Sequence, residues 1–340
     1  MKKIKIAFAG FWSHFDKGEF ICTHVLQQMY DVEIVDVKYA DYVFFSVMDD
    51  AHWFLPPEKI KIFYTGENLC PDFNACDYAI GFEWMDYGDR YIRLPNYYGT
   101  PYYRGQTAKF EQRYAKSLSE VELHKLTTAR SFCSFVVSNG NGNSVRDQLF
   151  NVLSAYKKVD SGGRWLNNVG GPVKDKITFE SGHKFSIACE NSSHPGYTTE
   201  KIVEAFAART IPIYWGDPEI CRVFNPKAFI NVMDYPSLDD VVKRVIELDQ
   251  DDEAYKAMLH ESALLDDSHY SIEEQMRRMS DFMQHIVEQP LEKAQRYNRE
   301  FWGQRYRDRE CSLIEKSRKT WKDLVREIFK RYYLLRKSKK

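Results

Sequence analysis

Residues 184–218 read KFSIACENSSHPGYTTEKIVEAFAARTIPIYWGDP and predict a complete β-α-β unit. The first apolar run ends at a carboxylate and an amide, Glu190 and Asn191. A Pro-Gly loop then leads into two threonines, a residue type that begins helices, and a second apolar run follows at 211–215. Because open α/β sheets bind ligands beyond the carboxyl ends of their strands, we expect a ligand at the loop after the first strand.

The first turn of the predicted helix carries two charged residues, Glu200 and Lys201. A helix N-terminus presents free N–H groups and a partial positive charge, and the ammonium of Lys201 adds a full positive charge. This end of the helix therefore suits a phosphate group. The carboxylate of Glu200 suits the hydroxyls of a ribose beside it.

The same residues resemble the donor-binding signature of the α1,3/4-fucosyltransferases, glycosyltransferase family 10, in the order FxxxxEN, YxTEK, aliphatic helix, PIYWG. A second block, IFYTGENLCPDFNACDYAIGFEWMDYGDRYIRLPNYY at 62–98, resembles the N-terminal half of the bacterial members. The resemblance covers residues 3–251. It implies a GT-B fold, in which two Rossmann-like domains face each other across a cleft, with the acceptor half first and the nucleotide half second.

The resemblance also implies a function, the inverting transfer of L-fucose from GDP-fucose to a GlcNAc-containing oligosaccharide acceptor. The expected attacking group is O3 of GlcNAc in an N-acetyllactosamine-type glycan, which gives an α1,3-linked, Lewis-antigen-like product. Two alternatives stay open, namely a relative with α1,4 or another acceptor preference and a catalytically silent sugar-nucleotide-binding protein. A nicotinamide-dependent oxidoreductase is disfavoured because no GxGxxG motif follows a predicted strand.

Fucosyl transfer needs a general base for the acceptor hydroxyl, and two carboxylates are candidates. Glu67 follows a predicted strand in T-G-E-N and matches the glutamate proposed as the base in the bacterial fucosyltransferases, although it also suits a turn cap. Glu190 is the competitor, and it could stabilise positive charge on the fucose ring or orient Asn191. Its structural alternative is a strand-end carboxylate that binds loop N–H groups.

Five residues are predicted to bind the donor: Arg146, Asn191, Tyr197, Glu200 and Lys201. Arg146 resembles the family's phosphate-binding arginine, and a guanidinium holds two phosphate oxygens at once. A solvated position in the first turn of a helix is its alternative. Tyr197 suits contact with the ribose or a phosphate, and a buried loop tyrosine is the alternative.

No metal and no cofactor are expected, because Arg146 and Lys201 suffice to neutralise the diphosphate. The histidines are scattered along the chain, and the one DxD motif, Asp249-Gln250-Asp251, follows a predicted helix rather than a strand. We interpret that motif as a solvated helix end.

Composition and pattern predict an α/β protein with more than one core. The chain has 340 residues, of which 44% are hydrophobic, and short β-branched or aromatic runs alternate with helical patterns. We predict an acceptor-side domain with a connecting segment at 1–130, a GDP-fucose-binding domain at 131–300 and a basic helical tail at 301–340.

The overall charge, the N-terminal residues and the cysteines bear on the protein's partners and on its cellular compartment. The net charge of −1 gives no field that would favour nucleic acid. The first residues predict a strand rather than a signal peptide, because Lys5 interrupts the apolar run and no small-residue cleavage site follows. Seven cysteines without a CxxC pair suggest neither a zinc site nor a disulfide framework. We expect a cytoplasmic protein.

The C-terminal segment differs from the rest of the chain. Residues 316–340 contain eleven Lys or Arg and two acids, a net charge of +9. Apolar residues recur there at helical spacing: Trp321, Leu324, Val325, Ile328, Tyr332 and Leu335. A cationic helix with an apolar stripe is typical of peripheral binding to an anionic membrane surface, here the inner leaflet. The alternative is a helix packed on the acidic body.

Overall fold

The structure is a computed structural model that describes residues 1–99, 119–297 and 300–337. Its first sheet has six parallel strands in the order β2-β1-β3-β4-β5-β6. These strands are β1 (Lys3–Ala9), β2 (Asp31–Ile34), β3 (Tyr42–Phe45), β4 (Ile60–Tyr64), β5 (Tyr78–Gly81) and β6 (Tyr91–Arg93). Every residue of β3, β4 and β5 is buried, as expected for parallel strands that are covered on both faces.

The second sheet has five parallel strands in the order β11-β10-β9-β7-β8. They are β7 (Ser131–Phe135), β8 (Val159–Ser161), β9 (His183–Cys189), β10 (Ile211–Trp215) and β11 (Ile230–Asn231). From the middle of the sheet the chain runs to one edge, from β7 to β8. It then returns to the middle at β9 and runs to the other edge, from β9 through β10 to β11. The strand order therefore reverses between β7 and β9, the position where such sheets bind ligands.

The helices of the described chain follow the strands of both sheets and then continue towards the C-terminus. They are α1 (Ile21–Gln27), α2 (Glu120–Thr128), α3 (Val145–Tyr156), α4 (Lys176–Glu180), α5 (Glu200–Ala207), α6 (Leu238–Gln250), α7 (Asp252–His260), α8 (Asp267–Tyr270), α9 (Ile272–Glu288), α10 (Leu291–Ala294) and α11 (Glu300–Lys337). The α/β class and the predicted unit at 184–218, β9-α5-β10, are both confirmed.

The two halves share a hydrophobic core. Tyr97, from the end of the first half, lies 5.8 Å from the ring of Phe224 in the second half. Ile202, on α5, belongs to the same buried cluster as Tyr97. The second half is therefore packed on the first rather than tethered to it.

The chain returns to the first half after α8. Helix α9 packs against α1, and the hydroxyl of Tyr30 donates to Glu288 at 2.8 Å. The backbone N–H of Tyr297 donates to Asp77 at 2.9 Å. Residues 272–297 thus pack against the first half, although they lie within the segment predicted as the second domain. The domain limits stay a prediction.

Helix α11 begins along the first half. Arg307 donates to the carbonyl of Leu55 at 3.2 Å, and Arg318 lies 3.5 Å from the carboxylate of Asp50. Of the six residues in the predicted apolar stripe, Val325 is exposed, and the other five side chains lie outside the described part. Among the described residues, no helix is both long and apolar enough to span a bilayer.

Candidate active site

A cavity of about 550 Å³ lies beyond the carboxyl ends of β7 and β9, where the strand order of the second sheet reverses. We call it the β7–β9 cavity. Its walls come from the loops after β7 and β8, the start of α4 and the first two turns of α5. Four of the predicted donor-binding residues line it: Arg146, Asn191, Glu200 and Lys201.

Arg146 is buried, with 1% of its surface exposed, so the solvated alternative is wrong. One terminal nitrogen donates to the side-chain oxygen of Asn191 at 2.9 Å, and the other donates to the carbonyl of Asn139 at 2.7 Å. Its Nε has no hydrogen-bond partner in the described structure. No described carboxylate lies within ion-pair distance of this guanidinium, so a full positive charge faces the cavity without a counter-ion.

Lys201 also lines the cavity, in the first turn of α5. Its ammonium donates to Glu190 at 3.0 Å and to the hydroxyl of Thr199 at 2.9 Å, and Glu200 lies 3.7 Å away. Burial lowers the pKa of Lys201, but the carboxylates of Glu190 and Glu200 raise it more, so the net pKa is above its usual range. Lys201 therefore stays charged at neutral pH.

Glu190 is fully buried directly after β9. One carboxylate oxygen accepts from the backbone N–H of Thr199 at 2.7 Å, and the other accepts from the Thr199 hydroxyl and from Lys201. These contacts are the ones expected from its structural alternative. Its role at the fucose ring stays a prediction.

Tyr197 is buried outside the residues that line the β7–β9 cavity. Its ring packs edge-to-face on Phe82 of the first half at 5.1 Å. Burial and then the charge of Glu190 raise the pKa of Tyr197, and the carboxylate of Glu67 adds to the increase. Its contact with the donor stays a prediction.

Glu67 projects from the carboxyl edge of the first sheet, directly after β4, and is exposed. Its N–H is bonded to the hydroxyl of Thr65 at 3.0 Å, whereas its carboxylate makes no hydrogen bond or ion pair with any described residue. The neighbouring Asn68 donates to Ser192 of the β9–α5 loop at 2.8 Å. Of the two candidate bases, only Glu67 has a carboxylate that is free to accept a proton.

Further contacts join the carboxyl edges of the two sheets. Glu83 and His194 are 3.1 Å apart, and the ring of Trp84 lies between the guanidinium groups of Arg93 and Arg222, at 3.5 and 3.8 Å. The sequence did not predict these contacts, because the Glu83–His194 and Trp84–Arg222 pairs each join positions more than 100 residues apart in the chain.

A buried charge cluster beside the cavity was not predicted from the sequence. Lys176 lies 2.9 Å from Glu204 and 3.7 Å from Glu180, and the first two of these residues line the cavity. Helical spacing could have indicated part of this cluster, because Glu204 stands four residues after Glu200 and so shares its face of α5.

No group of His, Cys, Asp and Glu side chains that would suit a metal ion occurs in the described part of the chain. The acids of the DxD motif have other contacts. Asp249 accepts from Lys184 at 3.0 Å, and Asp251 caps α7 through the N–H of Glu253 at 3.0 Å. The side chain of Asp249 is only 4% exposed, so the prediction of a solvated helix end is wrong for this residue.

Comparison with known proteins covers both halves of the chain. Residues 6–99 match the family model for the alpha-(1,3)-fucosyltransferase FucT N-terminal domain, and residues 126–317 match the C-terminal model of glycosyltransferase family 10 (fucosyltransferase). The alpha-(1,3)-fucosyltransferase FucT of Helicobacter pylori is 33% identical over 289 residues, which are 77% of this chain and 60% of that protein. The chain thus spans less than two thirds of that relative's length.

Two crystal structures are also similar. An alpha1,3-fucosyltransferase superposes with a TM-score of 0.73 at 31% identity, covering 85% of this chain and 91% of that one. An alpha1,3-fucosyltransferase with GDP-fucose gives a TM-score of 0.69 at 30% identity, covering 85% and 92%. These matches confirm the predicted GT-B fold. The chain belongs to glycosyltransferase family 10, the fucosyltransferases.

Proposed function

We propose that this protein is an inverting fucosyltransferase that uses GDP-fucose and transfers L-fucose to O3 of GlcNAc in an N-acetyllactosamine-type glycan. The observation that carries the proposal is the buried guanidinium of Arg146, which faces the β7–β9 cavity without a carboxylate among the described residues. An uncompensated buried charge is costly, and a diphosphate would supply the missing counter-ion. The similar crystal structure with GDP-fucose supports this donor.

The proposed reaction is a single displacement. The acceptor hydroxyl attacks C1 of fucose, its proton passes to the free carboxylate of Glu67, and the bond between C1 and the β-phosphate oxygen breaks. GDP leaves with the bonding electron pair, and Arg146 and Lys201 stabilise the negative charge that develops on it. With one base and one displacement, a β-linked donor gives an α-linked product.

We propose that the reaction needs no metal ion. The cations Arg146 and Lys201 are among the residues that line the cavity, and the acids of the DxD motif are engaged in contacts that stabilise the fold. Transfer should therefore continue at an unchanged rate in the presence of excess EDTA. Loss of activity with EDTA and its recovery with Mg²⁺ or Mn²⁺ would contradict this part of the proposal.

The direct test is incubation with GDP-fucose and a panel of type-1 and type-2 (N-acetyllactosamine) oligosaccharides, with the product linkage determined by NMR. We expect α1,3-linked fucose on GlcNAc of the type-2 acceptors. Fucose on O4 of the type-1 acceptors would instead identify a relative with α1,4 preference. Binding of GDP-fucose without transfer to any acceptor would favour the catalytically silent binding protein.

We also propose that the basic end of α11 binds an anionic membrane surface from the cytoplasmic side. The net charge of +9 in residues 316–340 and the amphipathic pattern of that segment support this part of the proposal.

A further inference from the structure

The buried carboxylate of Glu190 joins two segments that form the wall of the β7–β9 cavity. It lies at the carboxyl end of β9 and binds both the N-cap residue of α5, Thr199, and the first-turn lysine, Lys201. Because Glu190 is 0% exposed and both of its oxygens accept hydrogen bonds, its carboxylate does not face a bound sugar. Its contacts instead fix the place where α5 begins.

A glycine after β10 makes room for this carboxylate. Gly216 has a φ of +157°, and a Cβ atom at that position would lie 2.4 Å from Cγ of Glu190. Any other residue would displace the glutamate or its own backbone. The glycine of the PIYWG motif therefore has a physical role, which is to let Glu190 reach α5.

The ammonium of Lys201 has three N–H donors. One is directed at Glu190 and one at the hydroxyl of Thr199, which leaves the third for the cavity that Lys201 lines. A lysine side chain that is held at two acceptors loses little further conformational entropy when it binds a phosphate oxygen.

We propose that Glu190 is a positioning residue that fixes the ammonium of Lys201 against the donor diphosphate, and that it does not touch the fucose ring. This inference rests on the proposed function, since it assumes that the β7–β9 cavity binds GDP. It predicts that Glu190 influences GDP binding only through Lys201.

The test measures GDP binding by calorimetry for Glu190→Gln in the parent and in a Lys201→Ala background. In the parent, Glu190→Gln should weaken binding by about tenfold or more, the equivalent of one charged hydrogen bond. In the Lys201→Ala background the same substitution should leave binding unchanged or make it tighter. The reason is that Glu190 would then be an unpaired negative charge near the diphosphate, and Gln removes that charge.

A purely structural role would weaken GDP binding by the same factor in both backgrounds, and that result would overturn the proposal. A fall in kcat with unchanged GDP affinity would also overturn it, because it would place Glu190 at the sugar. If the parent protein does not bind GDP, the proposed function and this inference both fail. If the parent binds GDP and Glu190→Gln binds it equally well, only this inference fails.

A second variant covers the case in which Glu190→Gln does not fold. Thr199→Val keeps the shape of the side chain and the charged pair but removes the hydroxyl that both partners share. It should weaken GDP binding less than Glu190→Gln and, again, only while Lys201 is present. Equal weakening in the Lys201→Ala background would contradict the inference.

The matched control is Asp249→Asn. Asp249 is a buried carboxylate that pairs with Lys184 at 3.0 Å, the same distance as the Glu190–Lys201 pair. Lys184 is near the start of β9 and Glu190 follows its end, so the two pairs are roughly 20 Å apart along the strand. Asp249→Asn should lower thermal stability without changing GDP affinity.

Discussion

Arg146 combines deep burial with the lack of a carboxylate partner among the described residues. A buried charge that lacks a counter-ion destabilises the folded protein, so Arg146 contributes more to ligand binding than to folding. Arg146→Ala should weaken GDP binding by ~1.5–3 kcal/mol, the value of a charged hydrogen bond, with little loss of thermal stability. Calorimetry and thermal unfolding of the same sample check both parts. A large loss of stability with unchanged GDP affinity would assign Arg146 to the fold.

Glu67 has the one property that the second candidate base lacks, which is a carboxylate without a partner in the described structure. Glu67→Gln keeps the size of the side chain but removes the proton acceptor, so we expect kcat to fall by ~10²-fold or more while GDP affinity stays the same. The matched control is Glu58→Gln, an exposed carboxylate before the same strand, at the opposite edge of the sheet. Near-normal turnover of the Glu67 variant would exclude it as the base.

The buried carboxyl of Glu180 should make the stability of the fold depend on pH. Burial raises its pKa from 4.5 to about 7, although Lys176 opposes the increase. A carboxyl whose pKa is higher in the folded state stabilises the fold while protonated. That contribution is fully present below the unfolded pKa and is lost as the pH rises through about 7.

The variant Glu180→Gln does not titrate, and its side-chain oxygen still accepts from the hydroxyl of Ser186. Relative to the parent, its free energy of unfolding should therefore improve by ~2–3 kcal/mol between about pH 5 and pH 8. Urea unfolding at both pH values measures the difference. Parallel pH profiles for parent and variant would show that Glu180 is ionised in the fold at both pH values.

At the scale of single residues, the sequence predicted the identity of the charged groups but not their surroundings. Four of the five predicted donor-binding residues line one cavity, because the β-α-β pattern places them at strand ends and at a helix start. The sequence favoured Glu67 as the base only through the family resemblance, since by local pattern both Glu67 and Glu190 follow a strand. Burial and hydrogen bonds separate them, and these depend on contacts with Thr199 and Gly216 that only the folded chain brings together.

At the scale of elements, two loops that form the β7–β9 cavity touch at a glycine. A Cβ atom on Gly163 would lie 1.9 Å from the carbonyl oxygen of Val137, which is backbone and cannot rotate away. Gly163→Ala should force the loops after β7 and β8 apart, lowering stability by roughly 1–3 kcal/mol and weakening GDP binding. Both effects can be measured by unfolding and calorimetry on one preparation.

Gly182→Ala is the control for this prediction, because a Cβ atom there meets only an ordinary contact, 3.4 Å from the carbonyl of Phe179. Gly182→Ala should change neither the stability nor the GDP affinity by much. If Gly163→Ala binds GDP as well as Gly182→Ala does, the close approach of the two loops is not needed for the donor site.

Several elements could not be predicted from local pattern. Strand β8 is three residues long, and its residue Val159 continues the apolar pattern of the preceding helix, so local pattern alone favours a helix end at Val159. Strand β6 is equally short. Helices α7 to α10 lie beyond residue 251, where the resemblance noted in the sequence analysis ends, and the packing of α9 on α1 joins segments about 250 residues apart. Long elements with a clear period were predicted well, and short or distant ones were not.

At the scale of the whole molecule, charge is divided between the body and the C-terminal segment. Residues 316–340 carry +9, so the remainder of the chain carries −10. Helix α11 contacts the first half through Arg307, Cys311 and Arg318. The guanidinium of Arg318 also lies 5.0 Å from the ring of Phe54. The contacts of α11 that are described thus end at the residue where most of the positive charge begins.

This division predicts the result of a truncation. A chain that ends after Arg318 keeps the described contacts of α11 with the first half, so its thermal stability and its transfer to a soluble trisaccharide should be largely unchanged. It should lose binding to anionic vesicles, because each Lys or Arg near such a surface contributes ~1 kcal/mol, and the truncation removes nine of the eleven cations in residues 316–340.

Co-sedimentation of full-length and truncated protein with phosphatidylserine vesicles, at low and high salt, measures this binding. The full-length protein should bind at low salt and be released at high salt, since screening shortens the reach of its charges, and it should not bind neutral vesicles. The truncated protein should stay in solution under all conditions. If the truncated form unfolds or loses soluble activity, the segment belongs to the fold, and the alternative of a helix packed on the acidic body is the correct one.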